Sequence, residues 1–274
     1  MPELVEVETF KRQLEEVLLD KKIESFVVTH PRSFRRHSNS ADISKKLIGN
    51  RICKITRHGK YLAFEFIDGY FLNAHLRMSG RFLSFLNEDY DQTKNPKHTH
   101  IIFSTDKNTI LFIDPRTFGE MWLTLGPTEE TKYGLDAFES TVDQRNFVFE
   151  NLRKSKRPIK SVLLDQKILS GIGNIYADEI CANARLRPTR KIDTLSDGEL
   201  LRINQSCGSV LAKAIDARGS SLRDESFRDL HGEIGQYQLE HKVHARKTCG
   251  FCGQEIEKTK ILGRTTYFCP KCQK

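Results

Sequence analysis

The stretch CGFCGQEIEKTKILGRTTYFCPKC, residues 249–272, carries two Cys-x-x-Cys pairs separated by sixteen residues. This spacing is typical of a tetrahedral structural zinc site, which folds a hairpin too small to fold alone. Two disulfides are the alternative, which the lack of a secretory signal disfavours. We therefore expect one structural Zn²⁺, with no open coordination position for catalysis and no redox or nucleotide cofactor. Its predicted ligands are Cys249, Cys252, Cys269 and Cys272.

The segment between the cysteine pairs, residues 258–268, is basic and aromatic, which suits a β-ribbon on a phosphate backbone. The net charge of the chain is +8, and it is unevenly placed. Residues 1–150 hold 21 Lys and Arg against 22 Asp and Glu, whereas residues 151–274 hold 23 against 14. This asymmetry predicts a polyanionic partner, with the basic face in the second half.

The pattern of apolar residues along the chain predicts an α+β protein with several domains. Residues 3–18 follow the period of an amphipathic helix. Between 23 and 125, short runs such as KYLAFEF, YFLNAHL and TILFI, separated by turn signals, predict antiparallel hairpins in a sandwich or barrel. After Gly126-Pro127 the pattern predicts helices, listed by residue number as 143–154, 158–168, 175–184 and 196–218. Ser196, followed by Glu199 three residues later, predicts a capping box at the start of the last helix.

The predicted domains are 1–130, then 131–244, then the ribbon 245–274. Residues 219–244 are too long and polar for an ordinary connector, which indicates a functional loop. Three further cysteines, Cys53, Cys181 and Cys207, are expected to be buried free thiols. No apolar run reaches the length of a membrane span and the N-terminus is acidic, so we expect a cytoplasmic, nucleoid-associated protein with no membrane partner.

Two short stretches suggest chemistry. Ser170-Gly-Ile-Gly-Asn174 makes a tight reversal whose amides suit a phosphate, although a plain helix-turn-helix connection explains it as well. In the opening MPELVEVE, removal of Met1 exposes the secondary amine of Pro2, a group able to attack carbon and form an iminium. Glu3 is placed to act as acid or base. An ordinary helix start, with acidic residues at its positive end, is the alternative.

A set of motifs in fixed order resembles one family. These are PELVEVET at the N-terminus, RHGKYL at 57–62, HLRMSG at 75–80, DPRTFG at 114–119, GNIYADE at 173–179 and the cysteine ribbon. Together they resemble formamidopyrimidine-DNA glycosylase, a base-excision repair enzyme acting on 8-oxoguanine and ring-opened purines. The resemblance implies a helix on a two-layer antiparallel β-sandwich, then a helix-two-turns-helix domain with a zinc ribbon, and damaged double-stranded DNA as the partner. We expect a monomer because nothing in the sequence suggests an interface between copies.

The resemblance also implies roles for the residues at matching positions. It makes Pro2 the nucleophile at C1′, Glu3 the acid that protonates the sugar oxygen, and Glu6 a supporting carboxylate. Successive β,δ-elimination follows, with Lys60 and Arg264 linked to those steps. The predicted DNA-binding residues are His75, His98, Arg116, Lys156, Lys160 and Asn174, of which several fit equally well as solvated surface side chains. Met78, Arg116 and Phe118 match the wedge that fills the space of a flipped nucleotide. Ser220, Ser221 and Arg223 match the loop that caps the lesion.

The sequence departs from the family at two positions that bear on function. Val5 stands where a second proline is usual, and His244 stands where a tyrosine phosphate contact is common. Two rival functions remain open. One is a glycosylase of the same superfamily for oxidised pyrimidines, against which the Met78, Arg116 and Phe118 pattern argues. The other is a damaged-DNA-binding protein without catalysis.

Overall fold

The computed structural model describes residues 2–37, 40–127, 133–222 and 227–274. The chain forms two compact units, one comprising Met1–Glu130 with Arg218–Gly235 and the other Thr131–Ala217 with Gln236–Lys274. A segment late in the sequence thus belongs to the first unit. The domain boundaries proposed above near 130 and 244 remain a prediction. Within the described residues, no helix is long and apolar enough to cross a membrane.

The first unit is a helix on two four-stranded antiparallel sheets, as predicted. One sheet has the order β1-β6-β7-β5 and the other β2-β3-β4-β8. The strands are β1 Ser25–Val28, β2 Ile52–His58, β3 Tyr61–Phe66, β4 Tyr70–His75, β5 Arg81–Leu86, β6 Thr99–Ser104, β7 Asn108–Ile113 and β8 Glu120–Leu125. The helices are α1 Leu4–Leu18 and α2 Ser40–Leu47.

Aromatic side chains fill the space between the two sheets. Phe64 of β3 contacts Phe82 of β5 and Phe103 of β6, with ring centroids 6.1 and 6.3 Å apart. Phe10 of α1 meets Phe82 at 5.8 Å and Phe227 at 5.7 Å, both edge-on. Such contacts add to the free energy of burial. The core therefore holds the middle of α1 and the Phe227 side chain against the sandwich.

Two details of the first unit differ from the sequence prediction. Helix α2 lies inside a region read as strands, and it buries Ile43 and Leu47, one turn apart, against the core. Cys53 is exposed, so its predicted burial is wrong. The register of β2 shifts between Ile52 and Lys54, and this irregularity interrupts the alternation of buried and exposed side chains.

Among its described residues, the second unit contains four α-helices, a short parallel pair of strands and the ribbon. They are α3 Val142–Asn151, α4 Ile159–Leu163, α5 Asn174–Asn183, α6 Asp197–Asp216, β9 Leu135–Asp136, β10 Leu169–Ser170, β11 Glu257–Ile261 and β12 Arg264–Phe268. The predicted capping box of α6 is confirmed, because Ser196 and Glu199 exchange side-chain and backbone hydrogen bonds. Strands β11 and β12 pair antiparallel around Leu262 and Gly263, both with positive φ.

Helix α4 is shorter than predicted. The side chain of Gln166 donates to the carbonyls of Leu164 and Ile172 and accepts from the amide of Gly171. These bonds stabilise a loop where the apolar pattern suggested further helical turns. Cys181 and Cys207 are buried free thiols, as predicted. Burial raises the pKa of Cys207 to about 12, so this thiol stays protonated and inert.

Candidate active site and DNA-binding surfaces

The N-terminal residues predicted for catalysis are buried at the start of α1. Pro2 is buried and Glu3 is 2% exposed. Glu3 is the N-cap of α1 and forms a capping box with Glu6, in which the Glu3 amide donates to Glu6 Oε2 at 2.8 Å. Val5 is fully buried inside the helix, so the helix accepts this departure from the family pattern. The first turn therefore holds two carboxylates next to Pro2.

Glu6 also holds the start of the predicted lesion-capping loop. Its Oε1 accepts a hydrogen bond from the amide of Ser220 at 3.0 Å. Gly219 has φ of 80°, and a Cβ there would lie 2.8 Å from Glu6 Oε1, so this close approach requires glycine. The Ser221 hydroxyl donates to the Phe227 carbonyl at 2.6 Å. The Gly235 amide in turn donates to that hydroxyl at 2.9 Å.

Both serines of the predicted loop are thus buried and hydrogen-bonded at its base. The third predicted residue, Arg223, lies outside the described residues. The single carboxylate of Glu6 connects the amide of Glu3 to the amide of Ser220. A supporting role for Glu6 therefore has a concrete geometry.

Glu8, to which the sequence analysis assigned no individual role, takes part in the same region. Its carboxylate accepts from Arg57 Nε at 2.7 Å, and both side chains are almost completely buried. Arg57 Nη1 donates to the Gly59 carbonyl at 3.2 Å. This pair fixes the turn between β2 and β3 that carries Lys60. The motif Arg57-His-Gly-Lys60 was visible in the sequence, but nothing in it identified Glu8 as the partner of Arg57.

The strand register places His75 and Tyr61, the residue that follows Lys60, at one end of the strands of the same sheet. Tyr61 is opposite His75, and His75 is opposite Glu120. Burial lowers the pKa of His75 to about 3, helped by the positive charges of Arg77 and Lys60. The imidazole is therefore neutral near pH 7. Its Nδ1 accepts the Arg77 amide at 2.9 Å, which leaves Nε2 as the protonated, donating nitrogen.

The three predicted wedge residues lie on two exposed turns. Met78 and Phe118 are 40% and 41% exposed, unusual for large apolar side chains. The Arg116 guanidinium lies 5.2 Å from the centroid of the Phe118 ring. Both turns are tied to Asp114, a fully buried carboxylate that sequence reasoning did not single out. Its partners are the Ser79 hydroxyl and the amides of Arg116, at 3.2 Å, and Gly119, at 2.6 Å.

In the second unit, Asn174 and Arg264 are brought together by β12. Asn174 Nδ2 donates to the Thr265 carbonyl at 3.0 Å, next to the exposed Arg264. Asn174 Oδ1 is buried and has no hydrogen-bond partner among the residues that the structure describes. This oxygen can accept only from a donor such as water, whereas a phosphate would need the second hydrogen of Nδ2.

The remaining predicted DNA contacts fall into two groups. His98 and Lys156 are exposed, and His98 has φ of 67°. Lys160 is completely buried, which the prediction of a direct DNA contact did not anticipate. Its ammonium lies 2.6 Å from Asp178 Oδ1 and 2.8 Å from Thr266 Oγ1. A buried ammonium needs such partners, and here they link α4, α5 and the ribbon.

His244 is also buried, with Nδ1 2.8 Å from Asp178 Oδ2. The neighbouring Glu179 accepts the amides of Lys242, Val243 and His244 at 2.7, 3.0 and 2.7 Å. Burial raises the pKa of Glu179, while these amides oppose the rise. The histidine that replaces a family tyrosine therefore packs into the contact between α5 and the segment leading to the ribbon.

The four ribbon cysteines fit a tetrahedral zinc site. Their sulfurs all lie within 4.8 Å of one another. Cys252 and Cys269 Sγ are 3.7 Å apart and Cys249 and Cys272 Sγ are 4.0 Å apart. A tetrahedron with Zn–S bonds of roughly 2.3 Å has sulfurs roughly 3.8 Å apart. The amides of Phe251 and Cys272 also approach the sulfurs of Cys249 and Cys269. The ribbon is therefore the site of one structural Zn²⁺.

Three family models match the chain in order. They are the formamidopyrimidine-DNA glycosylase N-terminal domain at residues 1–121, the H2TH domain of that enzyme at 133–226, and the zinc finger found in FPG and IleRS at 246–274. Curated relatives of full length include the formamidopyrimidine-DNA glycosylases of Listeria monocytogenes, 38% identical, and Bacillus subtilis, 37% identical, each matching at least 99% of both chains.

Solved structures agree. A complex between the Lactococcus lactis Fpg and DNA containing an abasic site has a TM-score of 0.87 and 34% identity over 99% of both chains. The MutM (Fpg) protein of Thermus thermophilus has a TM-score of 0.85 and 33% identity, over 99% of this chain and 98% of that one.

The sandwich, the helical unit with its zinc ribbon and the N-terminal proline with its carboxylates define a DNA glycosylase of base-excision repair. The chain belongs to the formamidopyrimidine-DNA glycosylase family. It is an enzyme with glycosylase activity and lyase activity at abasic sites, and damaged DNA is its partner.

Proposed function

We propose that this enzyme excises 8-oxoguanine and formamidopyrimidines through a Schiff base at Pro2, followed by β,δ-elimination. The observation that carries the proposal is the N-terminal arrangement, in which Pro2 adjoins the capping box of Glu3 and Glu6. A secondary α-amine is much less basic than a lysine side chain, so a useful fraction is neutral near pH 7. This requires removal of Met1.

In the proposed reaction the Pro2 nitrogen attacks C1′ of the damaged nucleotide and the bond to the base breaks, while the proton lost by the nitrogen neutralises the departing base. Glu3 protonates the sugar ring oxygen, the ring opens, and nitrogen and C1′ form an iminium. The iminium acidifies the neighbouring sugar proton, so the 3′ phosphate and then the 5′ phosphate leave by elimination. Lys60 and Arg264 stabilise the departing phosphates as cations. Glu6 holds the first turn and the base of the capping loop in one geometry.

Flipping supplies access to the base. A base inside a duplex is out of reach, and extruding it costs a few kcal/mol of unstacking. We assign Met78 and Phe118 to the vacated space and Arg116 to the unpaired opposite base, because all three are exposed on turns held by one buried carboxylate. Asn174, His75, His98 and Lys156 are proposed to contact phosphates. Lys160 is proposed to act indirectly, by holding β12 in place.

The test is borohydride trapping on two duplexes, one with 8-oxoguanine opposite cytosine and the other with thymine glycol. Mass spectrometry first establishes that Met1 is absent. We expect a covalent complex with the 8-oxoguanine duplex and less with thymine glycol, and no complex for Pro2→Gly or for a protein with a tag before Pro2. Arg51→Gln is the matched control and should trap normally, because Arg51 lies next to the opposite end of the β2-β3-β4-β8 sheet from His75.

Oxidised pyrimidines are the second candidate substrate. A solved complex of the Lactococcus lactis Fpg contains an oxidised pyrimidine in its DNA, whereas others contain Fapy-dG. Equal trapping on both duplexes would rule out the proposed purine preference, and no trapping on either would rule out the proposed Schiff base at Pro2. The cytoplasmic, nucleoid-associated location stays a prediction.

A further inference from the structure

Three arginines converge on one buried carboxylate in the first unit. The Glu120 side chain is 3% exposed, and its oxygens lie 2.9 Å from Arg35 Nη2, 2.9 Å from Arg36 Nη2 and 3.1 Å from Arg77 Nη2. One negative charge thus faces three positive charges. The cluster carries a surplus of two positive charges that no other described carboxylate within hydrogen-bonding distance offsets.

The guanidinium groups are held in place yet remain open to solvent. Arg36 binds Glu120 through two nitrogens, and its Cζ lies 3.7 Å from the centroid of the Trp122 ring. The three arginine side chains are 41 to 44% exposed. Each guanidinium has five N–H donors, whereas Glu120 accepts only one or two from each. Donors in a fixed, partly exposed arrangement suit a planar or tetrahedral oxyanion.

The backbone of Arg77 has a φ of 55°, a left-handed conformation that it shares with several other described non-glycine residues. This conformation is less favourable for arginine than for glycine. Arg77→Gly therefore removes the side chain without straining the backbone. The Arg77 amide is held by His75 Nδ1, and the neutral imidazole adds no further positive charge to the cluster.

We propose that Arg35, Arg36 and Arg77 form a binding site for a backbone phosphate of the DNA, separate from the phosphate contacts assigned above. The strand register puts Glu120 at the same end of the sheet as His75, and Met78 follows Arg77 directly in the chain. The site rests on the proposed function in one respect, since it places a phosphate beside the wedge. Glu120 orients the arginines without touching the ligand.

The experiment measures affinity for an uncleavable duplex that contains an abasic-site analogue, over a range of salt concentrations. The variants are Arg77→Gly and Arg36→Gln, with Arg51→Gln as the control. Arg51 lies beside the opposite end of the sheet, next to the pair Ile52 and Phe66, and its replacement also removes one positive charge. Each lost phosphate contact should reduce the slope of log affinity against log salt by about 0.9 and weaken binding about tenfold at low salt.

We expect that loss for both cluster variants and a smaller, slope-neutral change for Arg51→Gln. Urea unfolding of Arg77→Gly separates binding from folding, because glycine relieves the strained backbone and should leave the unfolding midpoint near that of the wild type. Slopes equal to that of Arg51→Gln, or a loss of affinity that only follows a loss of stability, would overturn the proposal. Because the assay measures binding, failure of covalent trapping in the wild type would count against the proposed reaction and not against this site.

Discussion

Replacing Asp114 by Asn tests whether one buried carboxylate holds the wedge. The Asp114 carboxylate is fully buried and accepts from the Ser79 hydroxyl and from two amides, those of Arg116 and Gly119. Asn has the same shape, but its NH₂ must replace one of the two acceptor oxygens. If the NH₂ faces Gly119, two donors oppose each other without an acceptor. If it faces the other side, the Arg116 amide loses its carboxylate partner.

Either orientation loses a hydrogen bond to a charged group. The first also leaves the buried Gly119 amide without an acceptor, whereas in the second the Arg116 amide keeps the Ser79 hydroxyl oxygen at 3.2 Å. Together these effects cost roughly 2 to 4 kcal/mol. For a unit of this size the urea slope is about 3 kcal/mol per molar, so the unfolding midpoint should fall by about 1 M. Because both wedge turns loosen, we also expect a reduced preference for lesion-containing over intact duplex. That preference is measured as the ratio of the two dissociation constants.

Asp91→Asn is the matched control. Asp91 also accepts from a backbone amide and a hydroxyl, both of Thr93, but it lies on an exposed turn of the same unit. Water can replace its bonds, so little change in stability or lesion preference is expected. If Asp114→Asn proves as stable and as selective as Asp91→Asn, the carboxylate does not organise the wedge.

The remaining predictions concern pH, Glu6 and zinc. Because burial lowers the pKa of His75 to about 3, only the unfolded state binds this proton below its ordinary value near 6.5, so stability falls as the pH drops through that range. His75→Asn keeps an acceptor for the Arg77 amide, and it should reduce the loss of folding stability between pH 7 and pH 5 by about 2 kcal/mol. Urea unfolding at both pH values measures this loss. A change in the unfolding midpoint that is equal in variant and wild type would contradict the prediction. Glu6→Gln keeps one acceptor oxygen but presents its NH₂ to the amide of Glu3 or of Ser220. Single-turnover excision should therefore slow at least tenfold, while affinity for intact duplex stays the same. An unchanged excision rate would refute the supporting role of Glu6. Chelation of zinc should weaken DNA binding without modifying Pro2, and a metal analysis of active protein that finds no zinc disproves the structural site.

Local signals in the sequence predicted the elements whose stability is local. The alternating runs became β3, β4 and β7, and Ser196 with Glu199 capped α6, because each depends on near neighbours in the chain. The cysteine ribbon was equally predictable, since its spacing alone determines a tetrahedral ligand set. The order of the short motifs along the chain then indicated the family, although the structure places these motifs on separate turns.

Features that depend on distant contacts were not predictable. The burial of Lys160 follows from Asp178 and Thr266, which are 18 and 106 residues away in the chain. A basic residue in a basic segment gave no sign of them, since lysines are mostly exposed. The bond between Glu6 and the Ser220 amide spans 214 residues. Asp114 was visible only as part of a motif, because its role depends on a second turn joined to it through space.

The central claim is that Pro2 is the nucleophile, and peptide mapping of the borohydride-trapped complex tests it most directly. After digestion of protein and DNA, mass spectrometry identifies the residue that carries the reduced sugar. The proposed reaction predicts the modification on the N-terminal peptide that begins at Pro2, on its α-nitrogen. A sugar attached instead to Lys60 or another lysine would contradict the proposed mechanism.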